Sequence, residues 1–349
     1  MIFRIIGFLT LVLTLLSAWA WHDYQEMLIT PAVTGNPVTL EIIKGNSFNQ
    51  ITDKLIQQNV SFKPFWFKAL AVQKKIANKL KTGEYELSTG LTLPEILNLF
   101  AQGKTKKYSI TFPEGWSLKE ILKEINSNEH LEHTLQVSDV NLLGLQIENS
   151  QQHPASDNGL IPSPLPTLEG MFFPDTYYFE KHNTDADLLK RAYHKMQSVL
   201  TEEWWHKAEN LPFKNAYEAL ILASIVEKET AQVTERSLIA GVFIRRLQSG
   251  MMLQTDPTVI YGMGESYQGN ISSEDLKMHT PYNTYAFSGL PPTPIAMPGR
   301  DAIYATLHPD NSNNLYFVAR GDGTHQFSAT LKNHNLSVDN FQRKKNAKR

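Results

Sequence analysis

The stretch Ala216 to Glu229, AYEALILASIVEKE, constrains the chain more than any other. From Ala219 to Val226 every residue except Ser224 is apolar, so a helix there is apolar all the way round rather than along one stripe. A helix of that kind is buried on every face, which requires a domain large enough to surround it. Glu227, Lys228 and Glu229 then follow with no loop between. Glu227 comes directly after Ile225 and Val226, which puts its carboxyl at the mouth of an apolar site. Desolvation disfavours the charged form and raises the pKa, and this is how a glutamate becomes a general acid near neutral pH. The plainer alternative is that the helix surfaces here and all three charges are solvated. Glu227 and Glu229 are not a facing pair, because helix residues two apart point to different sides. Glu227 continues the apolar run and is read as the acid; Glu229 is expected to meet a loop or a nearby arginine.

A chain of 349 residues holds two domains or one large one. A net charge of -2 suggests no nucleic-acid partner through bulk electrostatics. The absence of cysteine excludes disulfides, a thiolate nucleophile and a zinc–thiolate site. Ile5 to Trp21 carries no charge and is preceded by Arg4, within the length range that spans a bilayer. Arg4 on that side places the N-terminus in the cytoplasm and exports the rest. Ala18-Trp19-Ala20 also suits a cleaved signal peptide, but the apolar run is longer than such peptides use, so a retained anchor over 1–21 is the preferred reading. A juxtamembrane spacer over 22–37, with Pro31, Gly35 and Pro37, comes next.

After it one pattern repeats three times: Gly45 to Ile51, Gly90 to Ile96 and Gly115 to Ile121. Each copy has a turn glycine, then Ser or Thr, then Gln or Glu three residues on, which is the capping box of a helix start. The runs Val38 to Ile43, Glu84 to Leu87 and Tyr108 to Phe112 precede them and read as strands, with a further helix near Lys63 to Leu80. A small βα module of this kind suits an extended polymer. The segment 107–165 connects this module to the C-terminal half: Leu142 to Leu145 reads as a helix end and Gln151 to Pro166 as an exposed loop. Glu129 to His133 lacks the spacing that sets two metal ligands one helical turn apart, so no metal site is expected there.

Leu168 to Phe179, which contains Glu169, is dense in aromatics and reads either as a buried strand or as a cleft lined for sugar rings. A helix over Asp185 to Trp205 leads to the central one, and Ala231 to Leu247 continues helically with Arg245 and Arg246 exposed. Beyond Gly250 the loops are rich in Pro, Gly, Asn and Tyr, and shaped loops carry function. Gln254, Thr255, Asp256, Tyr282, Asn283 and Tyr285 are cleft candidates there, as are His308 and His325. Asp256, ahead of Pro257, reads more readily as a turn former than as a second catalytic carboxylate. Leu315 to Ala319 and Gln326 to Ser328 form a hairpin, and 343–349 is a basic tail. No serine elbow and no phosphate loop is present.

Ala223 to Thr230, Leu253 to Gly262, Tyr282 to Tyr285, Gly289 to Pro292, Leu168 to Gly170 and Phe173 to Thr176 together resemble the YceG-like (MltG) family, the endolytic murein transglycosylases of bacterial inner membranes. The resemblance runs from the anchor to about residue 340. It implies an α+β protein with an N-terminal membrane helix, a small LysM-like βα module over 38–106 and a larger mixed α/β catalytic domain over 166–342. It implies Glu227 as the single acid and base, and cleavage between N-acetylmuramic acid and N-acetylglucosamine within peptidoglycan strands. It further implies a role in ending strand elongation beside the wall-synthesising machinery of penicillin-binding proteins, with the catalytic domain periplasmic and no metal or organic cofactor. A transglycosylase attacks the anomeric carbon with the muramyl C6 hydroxyl, an intramolecular nucleophile of high effective concentration, and needs one carboxylate where a water-using glycosidase needs two. The rival readings are a non-catalytic peptidoglycan-binding scaffold and a glycan hydrolase with Asp256 as base.

Overall fold

The structure, a computed structural model, describes residues 2–135, 160–161 and 165–343. The readings at Leu142 to Leu145, most of Gln151 to Pro166, and the tail past Arg343 lie outside the described residues. The chain divides into two compact units: residues 1–108 with 178–182, and residues 109–177 with 183–349.

In the first unit, α1 (Ile2–Ile29) is long and apolar enough to cross a membrane, and none of its apolar window is buried. It runs on past Trp21, into the stretch expected to be a spacer. The next residues are tied down: Ala32 N–H donates to Leu91 O at 2.7 Å, and Ala32 and Val33 are buried. β1 (Val38–Ile42) pairs antiparallel with β2 (Gly83–Leu87), Leu40 opposite Tyr85. Between them lie α2 (Phe48–Gln57) and α3 (Pro64–Gln73), and α4 (Leu93–Gln102) comes after β2. Leu40, Ile51, Leu55, Phe67, Leu70, Tyr85, Leu87, Ile96 and Phe100 form one core. Each such side chain contributes about 1.5–3 kcal/mol on leaving water.

The expected helix starts are present. Ser47 N–H donates to Gln50 Oε1 at 2.8 Å, and Ser117 N–H to Glu120 Oε2 at 2.7 Å. Thr92 donates to Glu95 Oε2 from both its N–H and its hydroxyl, each at 2.8 Å. These side chains satisfy amides that a helix leaves unpaired.

β3 (Tyr108–Thr111) and β4 (Thr176–Phe179) pair as a two-stranded sheet. The second unit contains α5 (Leu118–Ser127), α6 (Asp185–Trp205) and the central helix α7 (Ala216–Glu229). It continues with α8 (Val233–Gln248), α9 (Asp256–Met263), α10 (Arg300–Leu307), the antiparallel hairpin β5 (Tyr316–Ala319) and β6 (His325–Ser328), and α11 (Leu331–Val338). As the apolar run demands, Ala219 to Val226 are all buried; α8 and α10 pack on α7. Ser224, the one polar residue in the run, is also satisfied: its hydroxyl donates to Ile221 O at 2.7 Å and accepts Ile295 N–H at 3.0 Å.

Four local readings are corrected. The helix does not continue through Ala231: Thr230 is extended, at φ -146° and ψ 136°, so α7 and α8 are separate helices. Arg246 is not exposed but 7% accessible, and Arg245 is partly buried, donating to Asp310 O and Asn314 O. Asp256 is not in a turn; it opens α9 behind Thr255 as N-cap, with Pro257 in the first turn where a missing N–H does little harm. In Leu168 to Phe179 only Thr176–Phe179 is strand. Leu168, Met171, Phe172 and Phe173 are core residues in a turn around Gly170, not a sugar-facing surface.

Candidate active site

The last turn of α7 sends its two glutamates to different neighbours. Glu227, its side chain 6% exposed, faces α8 and the start of α10. Oε1 accepts from Arg236 Nη2 at 2.9 Å and Oε2 from the Gly299 N–H at 3.0 Å. Arg236 also lies 3.5 Å from Glu114. Burial raises the Glu227 pKa, while the Gly299 amide and the Arg236 charge pull it back. A carboxylate with both oxygens engaged by a cation and an amide is well made for joining three elements.

Glu229 faces the other way. Its Oε1 accepts from the hydroxyl of Thr255, the residue that caps α9. Burial is the largest influence on it and raises its pKa to about 7. The Thr255 bond and His325 oppose the shift, and the Asp256 charge adds to it. Glu229 lines a cavity of about 360 Å³ together with Gln254, Asp256, Tyr285, Arg246 and His325; Phe317 and Val318 of β5 also contribute to its wall. That size and the mixture of apolar wall with a few convergent polar groups are those of a small-ligand site.

Of the residues singled out from sequence, Gln254, Asp256, Tyr285 and His325 meet at this cavity, and Thr255 braces the carboxylate in its wall. Tyr285 donates to Asp256 Oδ1 at 2.6 Å. Gln254 has φ +52°, a conformation that a side-chain-bearing residue adopts at a cost, and such strain gathers at functional sites. Its N–H donates to Thr284 O at 3.1 Å, which holds the strained residue in place.

The others are not in the cavity wall. Asn283 is 1% exposed; its amide donates to Leu276 O at 3.1 Å and Met278 O at 2.6 Å and its Oδ1 accepts Tyr285 N–H, so it clamps the loop that presents Tyr285. Tyr282 packs at a tilt against Tyr261, with centroids 4.9 Å apart, and shares a hydrogen bond with Thr293. Glu169 is buried, accepting from the Leu118 N–H at 2.9 Å and from the Tyr261 hydroxyl at 3.2 Å; burial raises its pKa to about 7. His308 bonds through Nε2 to His206 O at 2.8 Å and stacks on Tyr304. Sequence reasoning passed over Arg246, taking it for a solvated charge, and ranked Glu229 second. The one available signal for Glu229 was the Thr-Asp-Pro helix start that receives it, whose contact spans 26 residues of sequence.

Comparison with known proteins identifies the family. The YceG-like family matches residues 40–340. A Bacillus subtilis protein named endolytic murein transglycosylase is 31% identical over 333 residues, covering 93% of this chain and 91% of its own length. A Streptococcus pneumoniae protein of the same name is 30% identical over 338 residues; the match takes in 90% of this chain and 60% of that longer protein. A crystal structure of a YceG-like protein from Listeria monocytogenes aligns with a TM-score of 0.54 at 29% identity, over 86% of this chain and 98% of that one. With a family match along most of its length and relatives at this identity and coverage, the chain belongs to the YceG-like family.

Proposed function

We propose that this protein is an endolytic peptidoglycan lytic transglycosylase, a lyase cutting the bond between N-acetylmuramic acid and N-acetylglucosamine, and that Glu229 rather than Glu227 is its general acid and base. The names of its relatives support the reaction class. The choice of carboxylate rests on one observation: Glu229, with its pKa raised to about 7, is the glutamate in the cavity wall.

In the reaction, protonated Glu229 gives its proton to the leaving glycosidic oxygen as the bond to the muramyl C1 breaks. The muramyl C6 hydroxyl then bonds to C1, and its proton returns to Glu229. Glu229 ends as it began, and no water is consumed. The Thr255 hydroxyl steadies the carboxylate formed between the two transfers, and Asp256 keeps the acid form populated beforehand by repelling that charge. Gln254 and Tyr285 orient the sugar.

The rest of the assignment belongs to the same reading. The βααβ arrangement of β1, α2, α3 and β2 is a LysM-like glycan-binding module, and residues 109–177 and 183–349 carry the chemistry. α1 anchors the chain in the inner membrane with its N-terminus cytoplasmic and the remainder periplasmic. There the enzyme ends strand elongation beside penicillin-binding proteins.

Asp256 shares the cavity with Glu229, which gives a hydrolase reading its one support: Asp256 as the base that activates water. The products decide between the two. Transglycosylation leaves 1,6-anhydromuramic ends, which borohydride does not reduce; hydrolysis leaves reducing ends, which take up two hydrogens. Mass spectrometry of digested sacculi is expected to find anhydro ends. Mainly borohydride-reactive ends would refute the transglycosylase in favour of the hydrolase, and no new ends would favour a binding scaffold.

A further inference from the structure

The cavity contains a cation that the mechanism does not use. Arg246, in the last turn of α8, is only 7% exposed, yet among the described residues no carboxylate pairs with it. Its Nε donates to Leu315 O at 2.7 Å and its Nη1 to Leu253 O at 2.9 Å and Met252 O at 3.2 Å. Nη1 also comes within 3.5 Å of Gln254 Oε1. The guanidinium lies over the Tyr316 ring, 5.2 Å from its centroid. These contacts fix the group rigidly, but carbonyls and a ring face do not neutralise a buried charge, and Nη2 bonds to no described residue. His334 also lines the cavity; its ring stacks on Tyr316 and its Nδ1 is buried without a partner. Buried charges are ordinarily paired and buried polar atoms satisfied. Here an unpaired cation and an orphaned ring nitrogen share a wall of one cavity.

We propose that this wall is a subsite for a carboxylate of the substrate, with Arg246 the residue that selects for it and His334 supplying a second polar contact. The inference rests on the proposed glycan substrate. Of the two alternating sugars, N-acetylglucosamine has no carboxyl group. Muramic acid carries a lactyl arm, which ends in a carboxylate when bare and in peptide carboxylates when a stem peptide is attached. A planar guanidinium suits such a group better than it suits a hydroxyl. The subsite therefore reads which sugar stands beside Glu229 and so fixes which of the two alternating linkages is cut.

The test is equilibrium binding of soluble glycan to the full-length protein carrying Glu229→Gln, with recovery of uncut glycan at the end of each titration. Three ligands are compared: peptide-bearing strands, strands stripped of peptide to the bare lactyl carboxylate, and peptide-bearing strands with all carboxyls converted to carboxamides. Amidation is expected to weaken binding about tenfold or more, the scale of a lost charge-assisted hydrogen bond. Stripped strands that bind like the native ones assign the lactyl carboxylate; stripped strands that bind like the amidated ones assign the peptide's. Adding Arg246→Gln is expected to bring native strands down to the amidated level. If that variant does not fold, His334→Ala, at a partly buried position, takes its place and is expected to shrink the preference. Equal binding of native and amidated strands overturns the inference, as does no measurable binding of any strand, or a preference that survives the substitution in a folded protein. Cleavage is not the readout here, so an absence of anhydro products from the unsubstituted protein defeats the proposed reaction without changing this result.

Discussion

Two glutamates separated by one lysine have opposite surroundings, and the difference predicts opposite behaviour. Glu229→Gln is expected to lower glycan cleavage by about 10²–10⁴-fold, the usual cost of losing a general acid, with the thermal midpoint little changed. Glu227→Gln is expected to keep most of the activity and instead lose about 1–3 kcal/mol of stability, because Arg236 stays buried with a weaker partner. Turnover and thermal unfolding of the two variants check this, and the reverse pattern would return the acid role to Glu227. The acid form of Glu229 starts the reaction, so kcat/KM is expected to fall as pH rises through about 7. Glu169 makes a separate prediction for stability. Its folded pKa, about 7, lies above the ordinary value of 4.5, so between those values the native state holds more protons than the unfolded one. Stability then falls as pH rises through that window. Glu169→Gln cannot titrate, so the midpoint of the unsubstituted protein should drop relative to this variant between pH 5 and pH 8. At this scale the sequence was only partly legible. That the helix ends in a desolvated carboxylate is dictated by the apolar run. Which glutamate faces a cavity depends on what packs against the last turn: Arg236 and Gly299 on one side, Thr255 on the other, none of them in the helix.

Elements were the most legible level, because their signals are local. The three capping boxes stand where Ser47, Thr92 and Ser117 announce them, and the helix Asp185–Trp205 has the bounds its pattern suggests. The errors arose where tertiary contacts override local pattern. Arg246 looked solvated because a charge near a helix end usually is, yet three carbonyls and Tyr316 receive it. The aromatics after Leu168 alternate as in a strand, but Gly170, at φ +77°, folds them into a turn. That turn yields an element-scale prediction. A Cβ at Gly170 would lie 2.4 Å from Pro294 Cβ, and the backbone conformation there disfavours any side chain. Gly170→Ala is therefore expected to lose about 1–3 kcal/mol, read as a lowered midpoint in denaturant. Ser117→Ala, which removes one cap from α5, should cost about 1 kcal/mol in the same measurement.

For the whole molecule, the proposed division of labour predicts that deleting residues 38–106 weakens retention on sacculi more than it slows turnover of saturating soluble glycan. Pelleting assays and initial rates on the same truncated protein make the comparison; unchanged pelleting would assign the module another task. The control needs care, because the first unit is not one continuous stretch of chain: residues 178–182 belong to it as well. Within it, Lys181 pairs with Glu41 at 3.2 Å and with Glu84 at 3.5 Å, and His182 bonds to Glu41 at 2.6 Å. Deletion strips all of these partners, so Glu41→Gln with Glu84→Gln in the intact chain separates that loss from loss of the module. The same discontinuity bears on how the protein is made. A ribosome delivers residues in order, and domains ordinarily fold as they emerge, N-terminal first. Here the amino-terminal unit lacks its final segment until residue 182 has been synthesised, by which time α5 and the rest of residues 109–177 of the other unit have already appeared. The first unit therefore cannot finish as an independent opening step, and a nascent chain stalled before that point should show it open to protease, while one stalled beyond it should resist.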